Sequence, residues 1–305
     1  MLKKKMLPVP FAVMLVCAVI VLASQNRAAA EVSGMQHYQH YAHHAQDVQV
    51  PAVKTEGTVV GLKMEPAKFN AGMPVTITVS IQDSEGNPAA EIAPTHDRIL
   101  HVIIVSEDFT IFSHIHPEDL GPVTPDMKKA AQFPVRYTFP KAGRYLIGVD
   151  FAVKDQSFSK RFVLDVAGDS KMGALTSDFS RAKKFGEYDV TLTSVPATIV
   201  AGKEVVLTYM FKKDGLNVAN LEPYLAATMH VAFISTDLNY FMHEHGMVPG
   251  MPAAHAHHMH GMVPEKFGPA IDVHTVFPAK GAYHIFSEAK HRGKVIVTHF
   301  MVEVE

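Results

Sequence analysis

Two sets of three histidines share one spacing, and imidazole is a side chain that can hold a transition metal. Each set has the pattern His-x12-His-x-His. The sets are His101, His114 and His116, and His230, His243 and His245. Neutral imidazole binds copper, zinc and nickel. Each set therefore predicts a three-histidine metal site, with a hydrogen-bonded structural cluster and a catalytic site as alternatives.

A β-hairpin would bring each set together. His101 opens an apolar run, Asp108 favours a turn, and the chain returns through His114 to His116. If the numbers of paired residues sum to 217, His101 faces His116 with Cβ atoms about 4.5–5.5 Å apart, and His114 shares that face. A slip of one residue would move His101 to the opposite face.

The two sets belong to an internal repeat. Residues 101–116 and 230–245 are identical at 7 of 16 positions, and Phe-Pro-x-x-Gly-x-Tyr recurs at 139–145 and 277–283. Self-similarity in a fixed order indicates duplicated structural units. We therefore predict two homologous modules.

The module boundaries follow from the repeat. Module 1 is predicted at residues 58–168, a linker at 169–186 and module 2 at 187–305. Short apolar runs separated by Gly, Pro, Asn and Asp are typical of antiparallel β-sandwiches. The predicted strands include Val75–Ile81, Leu100–Ser106, Tyr145–Phe151 and Phe158–Val166. The predicted fold class is all-β, with two tandem antiparallel sandwiches after a signal peptide.

Residues 1–30 have the layout of a secretory signal peptide. Lys3–Lys5 precede the apolar stretch Met6–Ala23, and Ala28–Ala30 offers a cleavage site. An uncleaved anchor is the alternative, because the stretch approaches the ~20 residues that span a bilayer. We predict a periplasmic or secreted protein without a membrane span after cleavage.

Composition excludes several classes of site and partner. The single cysteine, Cys17, lies in the leader, so the mature chain cannot form thiolate zinc, iron–sulfur or blue-copper sites. The leader also holds four basic residues, and residues 31–305 carry a net charge of −6 with histidine neutral. Because phosphate binding needs a basic surface, we expect no nucleic-acid partner.

Two further tracts are rich in histidine or methionine. We predict a flexible His-rich segment at residues 31–57 and a His/Met-rich loop at 246–264. The auxiliary metal ligands predicted in the loop are His255, His257, His258, His260 and Met259. Thioether sulfur suits Cu(I), which favours copper over the alternatives zinc and nickel. A solvated loop with incidental metal affinity is the other interpretation.

Four side chains near these sets are not predicted to be ligands. Met229 and Met242 adjoin candidate ligands but point to the opposite face of their strands. His284 and His299 would lie opposite one another across a later hairpin, as structural or surface residues.

The pattern His-Val-x3-Ser-x-Asp-x3-Phe-x-His-x-His, followed downstream by Phe-Pro-x-x-Gly-x-Tyr, resembles exported bacterial metal-associated modules of the YtkA-like kind. The resemblance covers both modules and implies an Ig-like β-sandwich that handles copper or another heavy metal in the cell envelope. His101, His114 and His116 match the pattern. Module 2 departs from it at Gly246, which is expected to loosen the strand end after His245.

The resulting prediction is an exported transition-metal-binding protein that sequesters or delivers copper and is not an enzyme. Its expected partners are the ion and an envelope metal transporter or metalloenzyme acceptor. An Ig-like structural or adhesion scaffold is one alternative. A cupin-like metalloenzyme, suggested by residues 114–118, is the other, although no serine lies in a nucleophile-elbow motif.

Overall fold

The computed structural model describes residues 53–55, 57–154, 156–169, 172–250 and 263–305. The leader, most of the predicted His-rich segment and the auxiliary ligands lie outside these ranges. Those ligands are His255, His257, His258, His260 and Met259. Within the described ranges, no helix has the length and hydrophobicity needed to cross a bilayer.

Module 1 is a sandwich of two antiparallel sheets. Its strands are β1 Val53–Thr55, β2 Thr58–Glu65, β3 Pro74–Asp83, β4 Ile92–Ala93, β5 Leu100–Ser106, β6 Phe112–Ile115, β7 Gln132–Thr138, β8 Gly143–Val153 and β9 Gln156–Val166. One sheet has the order β1-β2-β3-β7, and the other has the order β4-β8-β5-β6, with β9 beside β8. A 3-10 turn, Pro117–Leu120, and helix α1, Pro125–Ala130, lie between β6 and β7.

Module 2 repeats this arrangement. Its strands are β10 Ala182–Phe185, β11 Tyr188–Val195, β12 Glu204–Lys213, β13 Leu216–Asn217, β14 His230–Ser235, β15 Phe241–His245, β16 Ala270–Val276, β17 Gly281–His291 and β18 Lys294–Val304. The sheets have the orders β10-β11-β12-β16, with β13 beside β12, and β15-β14-β17-β18. Each sandwich has its own apolar core. The predicted all-β class with two antiparallel sandwiches is confirmed.

Two strands extend the modules beyond the predicted limits. Strand β10 lies inside the predicted linker, yet it pairs with β11 from Ala182 to Phe185 and so adds an edge to module 2. Strand β1 lies inside the predicted flexible segment and pairs with β2. Both are short edge strands, whose weak periodicity gives little signal in sequence.

The two modules share an interface within one unit, Ala45–Glu305. Every residue of β5 and of β14 is buried, because one face covers the module's own core and the other covers the partner module. The interface cluster consists of Ile103, Val105, Phe109, Leu146, Ala232, Ile234, Leu238, Phe241 and Phe286. Alternation along these strands therefore separates a core face from an interface face.

Aromatic side chains pack closely across the interface between the two modules. The ring of Phe112 in module 1 stacks on Phe286 in module 2, with centroids 4.6 Å apart. At the equivalent place on module 1, Phe241 of module 2 lies over Gly148, where a Cβ atom would overlap its ring. The absent side chain at Gly148 thus makes room for the docked module.

The second histidine pair lies beside this interface. Nδ1 of His284 is 2.8 Å from Nε2 of His299, and the His284 ring stacks on Phe109 of module 1. The two residues are diagonal neighbours, because His284 pairs with Met301 and not with His299. His284 is fully buried, so of the two predicted alternatives, structural or surface, the structure places it as a structural residue.

Because His284 and His299 are held neutral, we predict that the folded chain loses stability in acid. Burial, His299 and the Lys183 ammonium lower the pKa of His284 to about 3. Burial and Lys183 also lower the pKa of His299 to about 4, against an opposing effect of Asp178. A histidine in the unfolded chain has a pKa of about 6.5. Below that pH the unfolded chain binds protons that these two histidines do not bind in the folded chain, so the free energy of unfolding falls as the pH drops.

His284→Leu, which copies the residue at the equivalent position of module 1, is expected to reduce this sensitivity. The loss of unfolding free energy between pH 7 and pH 5 should shrink by on the order of 2 kcal/mol. Urea denaturation of both proteins at the two pH values measures it. An equal pH dependence in the two proteins would show that His284 is not held neutral by burial.

Candidate metal centre

The hairpin β5–β6 brings together the first set of histidines, His101, His114 and His116, which we call the first triad. Val102 pairs with Ile115 and Ile103 with His114, which is the register that sums to 217. Nδ1 of His101 lies 2.9 Å from Nε2 of His114 and 3.2 Å from Nε2 of His116, and the last two nitrogens are 3.0 Å apart. A tetrahedral ion with bonds of ~2.0–2.1 Å holds its nitrogens about 3.3 Å apart. Three nitrogens therefore already form a triangle of nearly chelating size.

The hairpin β14–β15 brings together His230, His243 and His245, the second triad, in the equivalent register. His230 pairs with His245, and Ala232 pairs with His243. Nδ1 of His230 lies 3.4 Å from Nε2 of His243. Nε2 of His245 is buried and has no hydrogen-bond partner among the described residues. A buried nitrogen without a partner is costly unless something else binds it.

The interface unites the two triads into one six-histidine centre. Ligating atoms of His101, His114, His230 and His243 all lie within 4.8 Å of one another. The ring centroids of His101 and His243, from opposite modules, are 4.9 Å apart. The sequence predicted a site in each module, whereas the structure brings both to a single place between the modules.

Backbone carbonyls fix the tautomer of the first histidine in each triad. Nε2 of His101 is 3.2 Å from the carbonyl oxygen of Thr95, and Nε2 of His230 is 3.1 Å from that of Tyr224. A carbonyl oxygen can only accept, so each Nε2–H donates. The lone pair of each Nδ1 therefore points at the centre, where an ion can accept it.

Each module also supplies a carboxylate to the other module's triad. Nδ1 of His114 lies 2.5 Å from Oε2 of Glu288, and Nδ1 of His243 lies 3.2 Å from Oδ2 of Asp150. Metal-binding histidines commonly donate their second N–H to such a partner, which orients the ring and raises its basicity. The crossed carboxylates make each triad depend on the docked partner module.

Five of the six triad histidines are held neutral by their surroundings. Burial lowers the pKa of His101, His114, His230 and His245 well below the usual value, and the neighbouring imidazoles add to this effect. Burial is also the largest cause that lowers the pKa of His116, to about 4. Ligation requires the neutral ring, so these histidines are ready to bind an ion at neutral pH.

Burial acts in the opposite sense on the carboxylate beside His114. It raises the pKa of Glu288 to about 8, because the ionised form loses its water. A cation held by His114 would favour the ionised carboxylate through charge attraction.

Three residues of the centre were missed in the sequence. Asp150 and Glu288 stand at equivalent positions, five residues after Tyr145 and Tyr283, so aligning the repeat through these strands would have paired two acids inside apolar runs. The third is His96, whose ring stacks on His245 with centroids 3.6 Å apart. It has no counterpart in module 2 and gave no repeat signal.

The structure also places three residues that lie next to the triad histidines in sequence, namely Met229, Met242 and Gly246. Met229 is fully buried in the core of module 2, and Met242 packs against that core. Gly246 was expected to loosen the end of β15, but its N–H donates to the carbonyl of Met229. A Cβ atom at Gly246 would overlap Ile271. That glycine therefore permits a close approach, and the strand end is tightly packed.

The chain is similar to several solved structures at low levels. FdeC, an Escherichia coli adhesin, is 13% identical with a TM-score of 0.21, over 87% of this chain and 66% of that one. A protein of Corynebacterium diphtheriae described as membrane anchored is 10% identical with a TM-score of 0.22, over 82% and 59% of the two chains. A β-glucuronidase of Parabacteroides merdae is 8% identical with a TM-score of 0.20, over 78% and 28%. Scores this low carry no inference about function.

No curated protein matches the chain. One family does match, and it matches twice, over residues 53–168 and 183–305. The two matched segments coincide with the two sandwiches and together make up most of the sequence. The protein therefore belongs to the family described as a domain of unknown function, DUF8832.

Proposed function

We propose that this protein binds transition-metal ions at the six-histidine centre between its modules. The observation that supports the proposal is the convergence of four ligating nitrogens, two from each module, within 4.8 Å. Lone pairs that face one another at this distance repel unless a proton or a cation lies between them. A cation held there would favour the ionised forms of Asp150 and Glu288, which are hydrogen-bonded to triad rings, and their charge would balance that of the ion.

The proposed cargo is copper, and the proposed role is its sequestration or delivery in the cell envelope. Six imidazoles without a thiolate suit copper, zinc and nickel alike. Copper is favoured by the methionines that accompany the histidines in the loop 246–264 and by the resemblance to YtkA-like modules. The signal-like leader at residues 1–30 supports export.

The proposed partners are an envelope metal transporter or a metalloenzyme that accepts the ion. Both roles require binding and release, and neither requires turnover. We therefore propose a binding protein, and the competing functions are a scaffold and a metalloenzyme.

A competition experiment tests the proposed cargo. The purified chain is incubated with equal concentrations of Cu(I) and Zn(II) under reducing, anaerobic conditions and desalted, and both metals are then measured. We expect copper to be retained in excess over zinc, because the methionines of the loop 246–264 add thioether sulfur, which suits Cu(I). Excess zinc would overturn the copper assignment, and retention of neither metal would favour the scaffold.

A turnover assay of the copper-loaded chain with oxidisable substrates tests the enzyme alternative. We expect no turnover above that of free copper. Multiple turnovers that disappear in His114→Ala would contradict the binding role.

A further inference from the structure

The distances around the centre distinguish one shared ion from two. Within the triads, the paired nitrogens are 2.9–3.4 Å apart, close to the spacing of nitrogens on one ion. Across the modules, the four grouped nitrogens span up to 4.8 Å. A single tetrahedral ion would need them about 3.3 Å apart, so the rings of both modules would have to move inward together.

Two histidines have no role if one ion is shared. His116 completes the first triangle, and His245 ends the second triad, but neither belongs to the group of four. The His245 ring is stacked on His96, and its buried Nε2 has no hydrogen-bond partner in the part of the chain that the structure describes. A ligand position in each triad accounts for both residues.

Each triad also has one carboxyl group beside it. One carboxylate, Glu288, is hydrogen-bonded to the first triad, and one, Asp150, to the second. Each triad thus has three histidine ligands and one carboxyl group on the far side of a ligand ring, and a bound cation would favour the ionised form of that carboxyl group. This is the environment of one cation per triad and not of one cation in total.

We infer that the centre holds two ions at once, one in each triad, as an interacting pair. This inference rests on the proposed metal-binding function and specifies its form. Because nitrogens of His101 and His114 lie within 4.8 Å of nitrogens of His230 and His243, one ion in each triad would be close enough to interact with the other, as in two-metal sites, whose ions are about 3.5–4 Å apart. The protein would then take up ions in pairs that sense one another.

Electron paramagnetic resonance of the full chain titrated with Cu(II) tests the inference. Two Cu(II) spins at this separation interact, so they give a broadened spectrum and a half-field transition that isolated ions lack. We expect the half-field signal to develop as the second equivalent binds. The readout does not depend on counting total copper, and substitutions in the two triads show whether the signal comes from the six-histidine centre.

Two variants identify the ligands of the pair. His116→Ala and His245→Ala each remove the third ligand of one triad and leave the other triad intact. Each is expected to lose the half-field signal while keeping the spectrum of a single bound Cu(II). His274→Ala is the matched control, because His274 is partly exposed and its ring contacts Glu204, outside the centre.

The outcomes separate this inference from the proposed function. Tight Cu(II) binding without any half-field signal in the wild type would overturn the pair and keep the binding function. A half-field signal that persists in both variants would also overturn the assignment of ions to triads. Absence of tight binding in the wild type would instead overturn the proposed function itself.

Discussion

Replacing His114 and His243 together with alanine is expected to abolish tight metal retention. The double variant removes one ligand from each triad and also separates Glu288 and Asp150 from the rings that they orient. Loss of an outer partner alone typically costs 10–100-fold in affinity, so loss of the ligand should cost at least about a hundredfold. Metal analysis after desalting measures the retained ions.

A matched control is available in the same chain. His274→Ala removes an imidazole that is hydrogen-bonded to a carboxylate, Glu204, outside the six-histidine centre and outside the interface cluster. This control should retain metal as the wild type does, and circular dichroism should show that both variants are folded. Full retention by the His114/His243 variant would assign binding to the other histidine tracts and contradict the centre.

Adding a single methyl group at Gly148 is expected to weaken both docking and metal binding. In Gly148→Ala, the new Cβ atom would overlap the ring of Phe241, which lies two residues before His243. Overpacking of this kind typically costs about 1–3 kcal/mol. Because each triad borrows its carboxylate from the partner module, displacement of Phe241 should also lower metal affinity by about tenfold or more. Urea denaturation and metal titration measure the two effects.

A second substitution tests whether the clash is the cause. Phe241→Ala removes the ring that the methyl group meets, so metal affinity in the Gly148→Ala/Phe241→Ala protein should recover relative to Gly148→Ala alone. A Gly148→Ala protein with wild-type stability and affinity would show that the modules do not need this close contact.

The triads could be predicted because they depend on local pairing. The spacing from His101 to His116 fits one hairpin, and the same spacing from His230 to His245 fixed the register twice. In a hairpin, the turn and the alternation of faces determine which side chains meet. Sequence therefore contained nearly all the information needed for each half of the centre.

Docking of the modules could not be predicted, because it depends on two surfaces far apart in sequence. One signal was present in the sequence, because the runs Leu100–Ser106 and His230–Ser235 are mostly apolar without alternation, and a continuous apolar run indicates a strand covered on both faces. The structure buries every residue of both runs. The run does not say what covers the second face. The partners of Asp150 and Glu288 were hidden for the same reason.

A crystal structure of the copper-loaded chain, with anomalous scattering measured at the copper edge, tests the central claim most directly. We expect anomalous peaks between the modules, bonded at about 2.0–2.1 Å to nitrogens of His101 and His114 in one triad and of His230 and His243 in the other. Peaks confined to other histidines, with the six interface rings hydrogen-bonded only to one another, would contradict it.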